Sequence, residues 1–338
     1  MSNAALAWSE FLISALLIAA AGARLARYGD IIAEKTGLSG SWIGLVLLAS
    51  VTSLPELVTG ISAVTIANAP DIALGDVMGS LVFNLAILVV IDFLYRGEPI
   101  YARAAQGHIL SAGFGVILIG FTGFSLLLAQ KTNALALGHI GFYTPLIIVL
   151  YLLAMRILFV YERRQLAEFA KETAARYPQI TLRHAAIGYA LAGLVVVAAA
   201  VWLPFIGNEL AEIHGWHSSF VGTLFIAGAT SLPELVVTLA ALRLGALDMA
   251  IGNLLGSNLF DVLIIAIDDL FFLRGPLLSH VSEIHAVTAL SAMIMTGAII
   301  VGLIYRPRTR LMNTVGWVSL SLLAVYILNV YILYLYGT

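Results

Sequence analysis

The chain has 338 residues, 61% of them hydrophobic and 11% charged, with a formal net charge of −2 and a mean hydropathy of +1.00. A soluble domain carries about twice that charged fraction, so an ordinary soluble fold is excluded. The chain contains no cysteine, which also excludes disulfides and thiolate metal sites.

In chain order, hydropathy predicts ten apolar segments of bilayer-spanning length, at about 7–28, 41–66, 72–95, 108–130, 138–161, 184–206, 219–243, 246–273, 285–305 and 311–336. The first does not read as a cleaved leader, because MSNAALAWSE has no positive region and the far end carries Arg24 and Arg27. If the segments alternate in direction, one side collects 15 of the 17 Lys and Arg residues and the other only Lys131 and Arg274. The positive-inside rule makes the rich side cytoplasmic. The expectation is therefore a multi-pass protein of the cell (inner) membrane, with both termini outside and the central loop cytoplasmic.

The chain also repeats itself. Residues 29–56 and 207–234 share 12 of 28 positions, including 52-TSLPE-56 and 230-TSLPE-234. One residue is then lost, and Gly75, Gly79, Ser80, Phe83, Asp92, Pro99 and His108 meet Gly252, Gly256, Ser257, Phe260, Asp269, Pro276 and His285. Each copy holds five predicted segments, an odd number, so the second copy enters the membrane from the opposite side. This predicts an all-α integral membrane protein of two inverted-topology repeats, the plan of secondary transporters. The first repeat covers 1–161 and the second 184–338. Between them, 162–183 is a polar linker, read as a short amphipathic cytoplasmic helix ending at Pro178. Its surroundings are water and membrane lipids.

The twin motifs set the chemistry. Ala49, Thr52 and Glu56 share one helix face. Pro55 has no amide hydrogen and crowds the carbonyl one turn back, so the helix must open near residue 51. Unpaired backbone at this depth survives only where it lines a cavity. Ala227, Thr230, Pro233 and Glu234 repeat the arrangement. The next segments place Ser80 with Asn84, and Ser257 with Asp261, each pair four residues apart on one face. Together these give hydroxyls, carbonyls, an amide and three carboxyls, with no His or Cys. An all-oxygen set suits hard cations, and Ca²⁺ accepts about 6–8 oxygens. One divalent ion neutralises Glu56 and Glu234, and monovalent ions could do the same, so Ca²⁺ should compete with Na⁺ or H⁺. Asp261, a third acid among like charges, is expected to hold a proton part of the time.

These motifs, 52-TSLPE-56 with 75-GDVMGSLVFN-84 and 230-TSLPE-234 with 252-GNLLGSNLFD-261, closely resemble the paired alpha-repeats of the cation/calcium exchanger superfamily, specifically its sodium/calcium exchanger branch. The resemblance covers essentially the whole chain. It implies Ca²⁺ extrusion against Na⁺ entry by alternating access to one site. By matching position it makes Glu56 and Glu234 the main Ca²⁺ ligands, beside Thr52 and Thr230. Ser53, Ser80, Ser231, Ser257 and the carbonyls of Ala49 and Ala227 would serve Na⁺, and Asn84 with Asp261 would form the central polar pair. Four residues depart from the family pattern: Val51, Leu81, Ala229 and Asp76.

A proton/calcium exchanger of the same fold is the alternative; that branch usually carries a Gly-Asn motif instead of TSLPE. A passive cation channel or an intramembrane acid/base enzyme fits less well. No cofactor and no nucleic-acid partner are expected, and the chain is treated as a monomer. The twin Asp92/Asp269 and His108/His285 read as span-end anchors and caps, and 280-HVSEIH-285 as a wetted span start and not a metal site.

Overall fold

The computed structural model describes residues 3–35, 49–95, 98–131, 136–168, 179–243, 245–311 and 314–337. Its principal helices are α1 (Asn3–Lys35), α2 (Leu54–Ser62), α3 (Pro70–Leu94), α4 (Gly107–Ala129), α5 (Tyr143–Glu168), α6 (Leu182–His214), α7 (Leu232–Arg243), α8 (Leu247–Phe271), α9 (His285–Tyr305) and α10 (Trp317–Tyr336). A two-stranded hairpin, Ala136–Leu137 with Ile140–Gly141, precedes α5.

Among the described residues, eight helices are long and apolar enough to cross a membrane. A ninth span is formed if Ser218–Thr230 and Leu232–Arg243, which meet at a 44° bend, are taken together. The chain is thus a multi-pass membrane protein. The second of the ten expected spans begins at 41–48, which lie outside the described residues, and the apolar helix that completes it, Leu54–Ala67, is short. The expected linker helix differs too. Residues as far as Glu168 continue α5 as one helix, and 169–178 lie outside the described residues.

Packing follows the sequence repeat. α1 lies against α6, α3 against α8 and α4 against α9, each helix meeting its own counterpart. Further contacts exchange halves: α2 packs on α6 as α7 does on α1, and α5 packs on α8 as α10 does on α3. Burial separates the roles. About 67% of the α3 span and 78% of the α8 span are inside the protein, against 28% for α10, so α3 and α8 form the centre. Outer helices turn large apolar side chains outward, Leu12 and Leu16 on α1 and Leu328 and Tyr331 on α10 among them, as a lipid-facing surface requires.

Sequence explains the starts of the central helices. Pro70 at the first turn of α3 needs no amide partner and has a φ preset for helix. Before it, Asn68 at φ 52° ends the π-helical turn Ala63–Ala67. Close approach is made by glycine. Gly75 stands against Gly222, and a methyl on Gly79 would collide with the Thr223 carbonyl and the Ala227 side chain. Gly256 faces Ala49 in the mirrored position. Small residues at helix crossings are the membrane solution to tight packing.

The far ends of α3 and α8 are fixed by buried aspartates. Asp269 accepts hydrogen bonds from the amides of Gly141 (2.8 Å) and Leu277 (2.6 Å) and the hydroxyls of Tyr143 and Thr144 (2.5 Å each). Asp92 accepts from the amides of Ile100 (3.1 Å) and Gly316 (2.8 Å), the Ser319 hydroxyl (2.7 Å) and the Arg310 guanidinium (3.5 Å). Each aspartate therefore seats the start of the other half's fifth helix. The expected capping role holds, and it works across the repeat.

The twin histidines also bridge the halves. His108 contacts Asp248 at 3.1 Å and His285 contacts Asp71 at 3.0 Å, with Asp248 and Asp71 in the first turns of α8 and α3. His285 is fully buried, so the segment ending there is not a wetted start at that residue.

Candidate cation site

The site forms where both copies of TSLPE break their helices. At Ser53 the backbone leaves helical geometry (φ −84°, ψ 14°), and at Ser231 it does the same (φ −82°, ψ 7°). The amide of Ser53 still reaches the Ala49 carbonyl at 3.0 Å and Leu57 reaches Ser53 at 3.2 Å. Ser231 and Leu235 repeat both bonds at the same distances. Pro55 and Pro233 have no N–H to offer the carbonyls of Val51 and Ala229. A π-helical turn, Gly222–Ile226, precedes the second break; such turns concentrate at functional sites.

Each broken helix presents its glutamate to the opposite half. Ser231 donates to Glu56 Oε1 at 3.0 Å, and Ser80 also donates there at 3.3 Å. Ser53 donates to Glu234 Oε1 at 3.1 Å, joined by Ser257 at 3.4 Å. The Ser231 and Ser80 hydroxyl oxygens lie 2.9 Å apart. Both glutamates, all four serines and both threonines are buried. The two carboxylates are thus drawn together by bonds that cross between the copies.

The Asn84 amide nitrogen donates to Asn258 Oδ1 at 3.0 Å and to Asp261 Oδ2 at 3.4 Å, which joins the central polar pair. Thr52 donates back to the Ala49 carbonyl at 3.0 Å and lies 3.4 Å from Ser257. Thr230 lies within reach of the carbonyls of Ile226 (3.1 Å) and Ala227 (3.2 Å) and donates to Asp76 Oδ1 at 2.8 Å. The Ala227 carbonyl accepts the Ser231 amide, and the Ala49 carbonyl already accepts two bonds, from the Ser53 amide and the Thr52 hydroxyl. An oxygen with two lone pairs has little left for an ion unless the threonine turns away.

Several buried oxygens of this cluster have no hydrogen-bond partner: Glu56 Oε2, Glu234 Oε2, Asp76 Oδ2, Asp261 Oδ1 and Asn84 Oδ1. An unpaired buried oxygen costs about 1–3 kcal/mol, and more for a charged one. A cation is the partner that satisfies several at once. Among the described residues no three acidic or imidazole side chains converge into a cage of their own. Two glutamates completed by hydroxyl and amide oxygens make the donor set a mixed one, which suits hard cations.

All twelve expected site residues lie in this region, and three polar residues join them. Asn258, three residues before Asp261 and on its helix face, donates to the Leu81 carbonyl at 3.1 Å. That spacing was a readable signal. Asp76 enters through Thr230. Asp268 is buried against Gly60, one turn beyond Glu56. It lacks a twin, since Ile91 takes the matching position, and so the repeat did not reveal it.

The family model described as sodium/calcium exchanger protein matches residues 6–161 and 184–335. The chain belongs to that family. Its members are membrane antiporters that carry calcium. The sodium/calcium exchanger MaX1 of Methanosarcina acetivorans is 28% identical over 273 residues, 71% of this chain and 76% of that protein. The fold is shared with solved exchangers. An H⁺/Ca²⁺ exchanger CAX aligns with TM-score 0.70 at 14% identity, covering 97% of this chain and 81% of that one. The sodium-calcium exchanger NCX_Mj aligns with TM-score 0.62 at 20% identity, covering 96% and 98%.

Proposed function

We propose that this chain is a secondary active antiporter that exchanges Ca²⁺ for Na⁺ by alternating access at the Glu56–Glu234 site. The observation that carries the reading is the crossed bonding of the two copies: Ser231 on Glu56 and Ser53 on Glu234, with the second oxygen of each glutamate left without a donor. Two like charges held together in hydrocarbon need a counter-charge. A divalent ion supplies it in one conformational cycle, and monovalent ions supply it in the return.

In this reading Glu56 and Glu234 bind Ca²⁺ with Thr52 and Thr230 beside them. Ser53, Ser80, Ser231 and Ser257 add the hydroxyls needed for Na⁺. Asn84 and Asp261 close the centre. The halves, 1–161 and 184–338, are inverted relative to each other around the 162–183 linker, with the linker cytoplasmic and both termini outside. The charge sorting of the loops supports that orientation.

Proton coupling is the second reading. What favours it is Asp76, an extra acid touching the site through Thr230, together with the fold shared with an H⁺/Ca²⁺ exchanger. The TSLPE motifs favour Na⁺. The test uses the purified chain in liposomes loaded with Na⁺ and diluted into Na⁺-free buffer containing Ca²⁺, at matched pH. Ca²⁺ uptake that requires internal Na⁺ supports the proposal. Uptake driven by a pH gradient alone replaces Na⁺ with H⁺, and flux indifferent to either gradient rejects antiport.

A further inference from the structure

At the centre of the site a line of hydrogen bonds runs in a direction that its far end fixes. Asn258 Nδ2 donates to the Leu81 carbonyl at 3.1 Å. Asn84 Nδ2 donates to Asn258 Oδ1 at 3.0 Å and to Asp261 Oδ2 at 3.4 Å. A backbone carbonyl has no hydrogen to give. If Asn258 were turned over, its Oδ1 would face that carbonyl, oxygen against oxygen. Its nitrogen therefore stays on Leu81, its oxygen is presented to Asn84, and Asn84 must answer with a nitrogen. The other end of Asn84, Oδ1, is buried and has no hydrogen-bond partner.

The mirrored half has no such line. The repeat pairs Asn84 with Asp261 and Asn258 with Leu81. Asn258 thus bonds the backbone of its own counterpart, whose side chain has no polar atom. Asn258 is itself 3% exposed and has both polar ends committed, so it keeps little to offer an ion directly. The acids around Asn84 pull against the observed orientation. Asp261 is bonded to it, and Ser80, one turn back on the same helix face, bonds Glu56. Carboxylates attract N–H donors strongly. An amide free to turn would swing its NH₂ toward them and leave hydrogens where a cation has to bind.

We infer that Asn258 is a positioning residue for cation binding: it holds Asn84 with the oxygen, and not the NH₂, offered to the ion. It sets the sign of the dipole that the first half contributes at the centre. The inference rests on the reading of this cluster as the cation site. It needs no particular coupling ion, because an amide NH₂ repels Ca²⁺ and Na⁺ alike.

The experiment measures Ca²⁺ binding by calorimetry on the purified chain in Na⁺-free detergent solution. The unaltered chain is compared with Asn258→Leu, the side chain that the mirrored half carries, and with Asn258→Ala, which adds no bulk should leucine prevent folding. Each change is also made on Asn84→Ser, which keeps an oxygen and has no nitrogen end to turn inward. If the unaltered chain binds no Ca²⁺, the cation site itself fails. If it binds Ca²⁺ but shows no Na⁺-driven uptake in liposomes, antiport fails and the present inference is still decided by the variants. Asn258→Leu or Asn258→Ala should weaken Ca²⁺ binding by about tenfold, the effect of one hydrogen bond to a charged group that the ion must break to turn Asn84 back. On Asn84→Ser the same changes should add little. Unchanged affinity in the folded Asn258 variants overturns the inference. So does an equal loss with Asn84 and with Asn84→Ser, which would make Asn258 a packing residue.

Discussion

Ser231 reaches across the boundary between the repeats to donate to Glu56 at 3.0 Å, while its own neighbour Glu234 is served by Ser53 from the opposite copy at 3.1 Å. Each carboxylate is held by both halves, because Ser80 and Ser257 donate to Glu56 and Glu234 from within the same copy. Ser231→Ala or Ser53→Ala removes one hydrogen bond to a charged group, worth about 1.5–3 kcal/mol. Each should raise the Ca²⁺ concentration for half-maximal exchange by about tenfold or more. The Ser231→Ala change made on top of Glu56→Gln should add little. Full additivity in that double-mutant cycle would mean the bond does not matter to the ion.

Removing a carboxylate should be more severe. Breaking a buried charged pair costs about 3–5 kcal/mol, so Glu56→Gln and Glu234→Gln should each cut Ca²⁺ uptake by about a hundredfold. Both variants should remain folded, because glutamine keeps the shape and can still accept from the serines. Normal uptake by either variant in liposomes would remove the site from this location.

The prolines offer a cleaner separation of stability from transport. Pro55→Ala or Pro233→Ala restores an amide and lets the helix close over the carbonyl of Val51 or Ala229, reversing a defect worth about 3 kcal/mol in an ordinary helix. Thermal stability should hold or rise while exchange falls. A variant that transports at the original rate would show that the break is only a kink.

The two histidine–aspartate contacts are the same bond in different surroundings. The Asp71 side chain is 26% exposed and its partner His285 is buried, whereas the Asp248 side chain is 58% exposed. Solvent screening leaves an exposed pair with about 0–1 kcal/mol. His285→Gln should accordingly lower the melting temperature more than His108→Gln. Thermal unfolding of both variants in one detergent checks the order, and equal losses would contradict it.

Much of the site was readable from the chain because a transporter with two copies states its chemistry twice. Glu56 and Glu234 stood out as acids in apolar runs, and the proline beside each one marked the break. Whatever the second copy does not repeat stayed hidden. Asp268 has Ile91 as its counterpart, so the match that exposed the glutamates concealed it, whereas Asp76, paired with Asn253, was visible as a departure from the family pattern. The serine bonds were illegible for a different reason. Spacing along one helix says which residues share a face, but Ser53 and Glu234 meet only through the packing of both halves. The span count illustrates a third limit. Hydropathy sees one continuous segment over 219–243, while Pro233 divides it into two helices at 44°.

The anchoring of Asp92 and Asp269 has a consequence for assembly. Each closes one half's third helix over the entry to the other half's fifth, so the repeats are interlaced and not merely adjoined. A chain severed within the polar segment near residue 170 should still reconstitute when both fragments are synthesised together. Either fragment alone would be left with a buried carboxylate stripped of most of its donors, and the cell's quality control would be expected to clear it.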